Sequence, residues 1–241
     1  MSTFNRHGLS RNIPTEVKRI VRQRDGFGCV ICATPIIDYE HVEPTFANAT
    51  KHDPNGITLL CPICHRKVTG RAISKAFVQK AMLTPAAKKA GYIGHELHFS
   101  ESHPTVVFGG AQLIRCKVPL HVLGEDIISI ENIDGKFLLS ARFWDSSGNQ
   151  TLTIDKNEWL ADSKHIWDLK VIANKIIIQE KKGKTAMTLR VEDNERIVIE
   201  NFEMLIKNKV MFKGNASVLY VNRNRFEAFG ASDCIYGMYF S

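Results

Sequence analysis

Two Cys-x₂-Cys knuckles, Cys29-Val-Ile-Cys32 and Cys61-Pro-Ile-Cys64, constrain this chain more than any other feature. Two intervening residues let both thiolates of a knuckle reach one ion, and Zn²⁺ takes four such soft ligands tetrahedrally. The 28 residues between Cys32 and Cys61 suffice for a strand, a loop and a second strand. A closed Cys₄ site is structural, and a segment this small buries too little apolar surface to fold without it. Structural Zn²⁺ at Cys29, Cys32, Cys61 and Cys64 is therefore the first expectation. The other two cysteines, Cys116 and Cys234, lie far apart in apolar stretches and read as small buried hydrophobes.

Charge divides the chain into halves. Of the net +7, residues 1–100 carry all, with 14 Lys and Arg against 7 Asp and Glu, whereas residues 101–241 carry 18 of each. A basic surface draws polyanions through counterion release, so nucleic acid is the partner expected of the first half only. No apolar run approaches the ~20 residues that cross a bilayer. The polar, basic start, Met1 to Arg11, lacks the apolar core of a signal peptide. A cytoplasmic protein with no membrane partner is expected, and in that compartment paired Cys-x₂-Cys spacings read as metal ligands before disulfides.

Local signals frame the knuckles. Residues 1–12 read as a loose basic arm. Pro14 to Arg24 reads as a short helix, with Glu16 at its positive end and Arg19, Arg22 and Arg24 at the other. Asp25-Gly26-Phe27-Gly28 ends it, the glycines permitting the positive-φ backbone of a metal knuckle. Ile36–Val42 reads as a strand stopped by Glu43-Pro44. A polar loop over residues 45–56 closes with turn chemistry at Asp53-Pro-Asn-Gly56. Ile57–Leu60 is a brief apolar strand that delivers the second knuckle, and a helix is expected to begin at His65. Ile73–Leu83 has helical spacing with Lys75 and Lys80 outside. Pro85–Gly91 adds a turn or two of helix, which Gly91-Tyr-Ile-Gly94 breaks.

Glu40-His41-Val42-x-Pro44, followed by Asn55-Gly-Ile-Thr-Leu-Leu-Cys61-x₂-Cys64-His65, resembles the HNH endonuclease family, the ββα-metal nucleases, in its form with a Cys₄ zinc clip. The resemblance covers roughly residues 13–75. It implies hydrolysis of DNA phosphodiesters, with restriction or anti-phage defence as a setting. By that resemblance His41 is the general base, and Glu40 and His65 hold one catalytic divalent ion, Mg²⁺, Mn²⁺ or similar. Asn55 orients the base or the loop, and Arg66 and Lys67 grip adjacent phosphates of the DNA. Alternation along a strand places Glu40 and His41 on opposite faces. Some members carry a further His one turn after His65, where this chain has Thr69; His52 reads as solvated.

From about residue 96 the texture turns to β. Short runs rich in Val, Ile, Leu, Thr and Phe recur from Thr105–Phe108 to Ser217–Val221, with Ala111–Val118 among them, spaced by turns such as Asp134-Gly135 and Lys182-Gly183. This pattern implies a sandwich, a barrel or a short β-solenoid. Trp144, Trp159 and Trp167 read as core plugs rather than a binding face. The expected fold class is α+β: a small zinc-clipped ββα-metal HNH domain over residues 1–95, then an all-β domain over 96–241 that serves as an accessory, oligomerisation or sensor body. A homo-oligomer is expected through that body. Two rival readings stand beside the nuclease: a non-catalytic nucleic-acid-binding zinc protein, and an assembly protein carrying a degenerate nuclease module.

Overall fold

The computed structural model describes residues 3–241. The chain divides into two compact units, one ending at Ile93 and the other spanning Gly94–Ser241. The protein is mixed α+β and mostly β, with every α-helix before residue 91. No helix among the described residues is long and apolar enough to cross a membrane.

The first unit opens with α1 (Thr15–Asp25), which ends at Gly26, where φ is +79° and the N–H donates to the Arg22 carbonyl. A side chain at Gly26 would meet the Lys88 backbone nitrogen at 2.6 Å, so glycine is required on both counts. β1 (Asp38–His41) and β2 (Ile57–Leu60) pair antiparallel, with Asp38 opposite Leu60 and His41 opposite Ile57. α2 (Pro62–Thr69), α3 (Lys75–Leu83) and α4 (Ala86–Ala90) come after the hairpin.

β2 is buried on both faces and separates two small cores. Ile57 and Leu59 pack with Ile13 and Val21 on the α1 side. Leu60 packs with Val30, Val42, Val68, Val78 and the knuckle cysteines on the other. Between them Thr58 donates from Oγ1 to Asp25 Oδ2 at 2.7 Å, and the Leu59 N–H donates to the same oxygen at 3.1 Å. Asp25 is fully buried, and Arg24 donates from Nε to its Oδ1 at 2.7 Å while also reaching the Pro54 and Ile57 carbonyls at 2.6 Å each. A buried carboxylate is tolerated only when paired and hydrogen-bonded in this way. The pair ties the end of α1 to β2.

Four local expectations are corrected. The helix after the second knuckle begins at Pro62, not His65, because the Cys61 sulfur caps it by accepting from the Cys64 N–H at 3.3 Å and proline suits the first helical position. His65 therefore sits within its first turns. Gly28 does not carry the positive φ of the first knuckle; Phe27 (69°) and Ala33 (64°) do. The N-terminal arm is not loose over its described residues, since Asn5 Nδ2 donates to the Phe46 and Ala49 carbonyls at 2.6 and 2.7 Å; residues 1 and 2 lie outside the described residues. Lys75 does not point outward but turns onto Glu40, drawn by the carboxylate.

Strands then run β3 (Tyr92–Glu96), β4 (Thr105–Phe108), β5 (Ala111–Ile114), β6 (Val118–Val122), β7 (Glu125–Ile133), β8 (Lys136–Trp144), β9 (Gln150–Asp155) and β10 (Glu158–Asp162). They continue through β11 (Asp168–Ile172), β12 (Lys175–Lys181), β13 (Lys184–Glu192), β14 (Arg196–Glu200) and β15 (Phe202–Ile206). The last are β16 (Val210–Gly214), β17 (Val218–Val221), β18 (Asn224–Glu227), β19 (Gly230–Ser232) and β20 (Tyr236–Phe240). Three sheets result, in the orders β20-β6-β7-β8-β9-β10-β3, β11-β12-β13-β14-β4-β5-β19 and β15-β16-β17-β18. Among the described residues each of these orders is an open one.

Most neighbours are antiparallel hairpins. At Leu123-Gly124, Asp134-Gly135, Lys156-Asn157, Asp193-Asn194 and Lys207-Asn208 both central residues have positive φ, the mark of type I′ turns that match strand twist. The core is aromatic where the sheets meet: Phe108 of β4 stacks on Phe202 of β15 at 4.4 Å between centroids, and Phe212 of β16 lies 5.3 Å from Phe240 of β20. Trp159 is buried, as a core plug should be, while Trp144 and Trp167 are half-buried. The run expected over Ala111–Val118 is two strands, because Arg115 takes φ 51° and bends the chain. The helix breaks at Gly91, as expected, where φ is +79°, and Tyr92–Glu96 follows as a strand.

Candidate functional site

The two knuckles converge. The sulfurs of Cys29, Cys32, Cys61 and Cys64 lie within 4.8 Å of one another. Cys32 is 3.6 Å from Cys61 and 3.9 Å from Cys64, sulfur to sulfur. A tetrahedron of sulfurs about 2.3 Å from a central Zn²⁺ has edges of about 3.8 Å, so the spacing is that of a metal site. The first knuckle is shaped by its own backbone, with Ala33 N–H donating to the Cys29 carbonyl and Cys29 N–H to that of Thr34, both at 2.9 Å. Val30 N–H donates to the Leu59 carbonyl at 3.0 Å, which brings the first knuckle to the strand that leads into the second. Burial pushes the Cys29 and Cys64 thiols up. At Cys32 burial acts the same way, but hydrogen bonds from the Thr34 hydroxyl and N–H outweigh it and bring the thiol down to about 7.

Beside this cluster, β1 and α2 assemble an acid–imidazole group. His65 Nε2 lies 2.9 Å from Glu40 Oε2, and His65 Nδ1 lies 3.2 Å from Asp38 Oδ2. Asp38 and Glu40 are two apart on a strand and so share a face. With a carboxylate at each nitrogen, the imidazole is held in one orientation. Lys75, the first residue of α3, forms an ion pair with Glu40 Oε1 and donates to the His41 carbonyl at 2.7 Å.

His41 turns to the other face of β1. It is 8% exposed, its Nε2 lies 3.1 Å from His52 Nδ1, and its ring meets Phe46 edge-on at 5.4 Å. Burial, then the neighbouring His52, lower its pKa to about 4 against a smaller upward pull from Glu40. The ring is therefore neutral near pH 7. His52 Nε2 is buried without a hydrogen-bond partner among the described residues.

The structure thus brings Glu40 and His65 into contact and sets His41 on the opposite face of β1. Asn55 is exposed on the turn Pro54–Gly56, its N–H donating to Asp53 Oδ1 at 2.9 Å, and its side chain makes no hydrogen bond to His41 among the described residues. Arg66 and Lys67 are exposed on α2, with no ion pair to either among the described residues. Sequence reasoning misses Asp38, His52 and Lys75 as members of the site. Asp38 has a signal, its two-residue spacing from Glu40; His52 and Lys75, brought in by a loop and a later helix, have none. Comparisons of the chain with family models, with curated proteins and with solved structures found no match.

Proposed function

We propose that the protein is a metal-dependent endonuclease of the HNH type that hydrolyses DNA phosphodiesters, with Zn²⁺ in the four-cysteine cluster as scaffold. One observation carries the reading: a β-hairpin and the helix after it hold a carboxylate–imidazole pair, Glu40 and His65, on one face of a strand whose next residue, His41, is a buried neutral imidazole on the other face. Glu40 and His65 would hold one divalent cation, whose chemistry there is to neutralise the scissile phosphate and the leaving oxygen. Glu40 Oε2 and His65 Nε2, 2.9 Å apart, are the oxygen and nitrogen donors such a cation would take. Asp38 orients the His65 ring from its far nitrogen. His41 takes the proton of the attacking water while His52 and Phe46 fix its plane. Arg66 and Lys67 bind neighbouring phosphates, and the basic first hundred residues supply the wider attraction for DNA. To the β unit we assign self-association, because its end strands offer open edges, and a restriction or defence setting suits such a pairing of nuclease and assembly body.

Plasmid nicking with Mg²⁺ or Mn²⁺ tests this. His41→Ala and Glu40→Gln are each expected to lower the rate at least about 100-fold with the fold retained. Undiminished cleavage by His41→Ala would remove the reading.

A specific contact favours a second reading. Lys75 already neutralises the Glu40 carboxylate without a cation, and on this reading the module binds nucleic acid through Arg66 and Lys67 without cutting it. DNA affinity with no cleavage under any divalent ion would select that alternative.

A further inference from the structure

Within the second unit, residues 111–122 and 230–240 run side by side in parallel at one offset. Gln112, Leu113 and Ile114 pair with Gly230, Ala231 and Ser232, and after a bend Val118, Leu120 and Val122 pair with Tyr236, Met238 and Phe240. The same offset, 118 residues, sets Cys234 opposite Cys116 and Asp233 opposite Arg115. Backbone bonds bracket the cysteines: Asp233 N–H donates to the Ile114 carbonyl at 3.0 Å, and Lys117 and Val118 N–H donate to the Cys234 and Ile235 carbonyls at 3.1 and 2.7 Å. The two segments bend together, with Arg115 at φ 51° and Asp233 at φ 55° just before their cysteines. The sulfurs lie 2.9 Å apart. Neighbouring parallel strands are about 4.8 Å apart, inside the window of about 4.4–6.8 Å between Cα atoms that a disulfide spans without moving the backbone.

We propose that Cys116 and Cys234 are a reversible redox modification site, closed to a disulfide by a low-molecular-weight disulfide of the glutathione class. Cys116 is fully buried and Cys234 half-buried, so the oxidant meets Cys234. The Cys234 thiolate attacks one sulfur of the oxidant, whose S–S bond breaks and releases one thiolate. The Cys116 sulfur then attacks the Cys234 sulfur of the mixed disulfide, the S–S bond to the small thiol breaks, and the departing thiolate takes up the Cys116 proton. Two protein thiols are oxidised and one small disulfide is reduced to two thiols. Burial, with Cys234 beside it, pushes the Cys116 thiol up to about 12, so Cys234 is the thiol that attacks first. The bond has a structural consequence. β19 and β20 are each the end strand of a sheet, held by β5 and β6 respectively, so the cross-link fastens the C-terminal strands to the unit.

The test uses the full chain, purified reduced, equilibrated across ratios of oxidised to reduced glutathione, and mapped by alkylation and peptide mass under non-reducing conditions. A Cys116–Cys234 cross-linked peptide is expected, reversed by dithiothreitol, with a rise of roughly 10 °C in the thermal transition of the oxidised protein. Cys234→Ser is expected to show neither change. Two free, alkylatable thiols at the most oxidising ratio would overturn the proposal, as would glutathione retained on Cys234 without ring closure, or a cross-link that leaves the transition where it was.

Discussion

At the scale of residues, the candidate site depends on contacts that orient imidazoles. His52 touches His41 at 3.1 Å and has no other side-chain partner among the described residues. On the proposed mechanism, His52→Ala should lower the cleavage rate roughly tenfold through misorientation of His41, whereas His41→Ala should abolish it. Cleavage unchanged in His52→Ala would show that the ring contact is only packing. A second residue sets an acid limit on stability. Burial pushes the Glu180 carboxyl up, but Lys184 and the Ser146 N–H and hydroxyl outweigh it and hold it below its ordinary 4.5. A carboxyl lowered in the folded state contributes stability that is full above about pH 4.5 and is lost as pH falls through the folded value. Urea midpoints followed against pH should therefore fall less steeply below pH 4.5 in Glu180→Gln than in the parent.

In the first unit, elements are joined by a few polar struts as well as by small cores. The two clusters flanking β2 hold only eight and four buried residues. The Asp25–Arg24 pair and its bonds to Thr58 and Leu59 take up the remaining task of fixing α1 against the hairpin. Asp25→Ala leaves Arg24 and the Thr58 hydroxyl without their buried acceptor and should cost about 3 kcal/mol, read as a shift in urea midpoint at constant slope. Gly26→Ala should also destabilise, because a positive φ and a backbone contact both exclude a side chain there.

For the whole molecule, small cores in the first unit mean that a metal held by the four cysteines would contribute folding energy. Removing the metal with a strong chelator should expose Cys29, Cys61 and Cys64 to alkylation and make residues before Gly94 protease-sensitive, while the strand signal of the second unit persists. Metal analysis should return one zinc per chain. Resistance of all four cysteines to alkylation after chelation would mean that hydrophobic burial alone holds the knuckles.

Features governed by local geometry were legible along the chain. Cys-x₂-Cys spacing predicts convergent sulfurs because two residues suffice to curl a knuckle, and the sulfurs do converge. Strand alternation predicts separate faces for Glu40 and His41, and they face separate partners. Glycine, asparagine and aspartate at the turns mark hairpins because those residues accept positive φ, yet the same pattern passes over strands such as β15, β16 and β20, whose burial depends on distant sheets. Which distant groups meet is settled in three dimensions alone. Lys75 reaches Glu40 across 35 residues, His52 reaches His41 from a loop, and Cys234 comes to Cys116 across 118, turning two apparent buried hydrophobes into neighbours. Those meetings are set by chain topology, and no period along the sequence records a separation of that length.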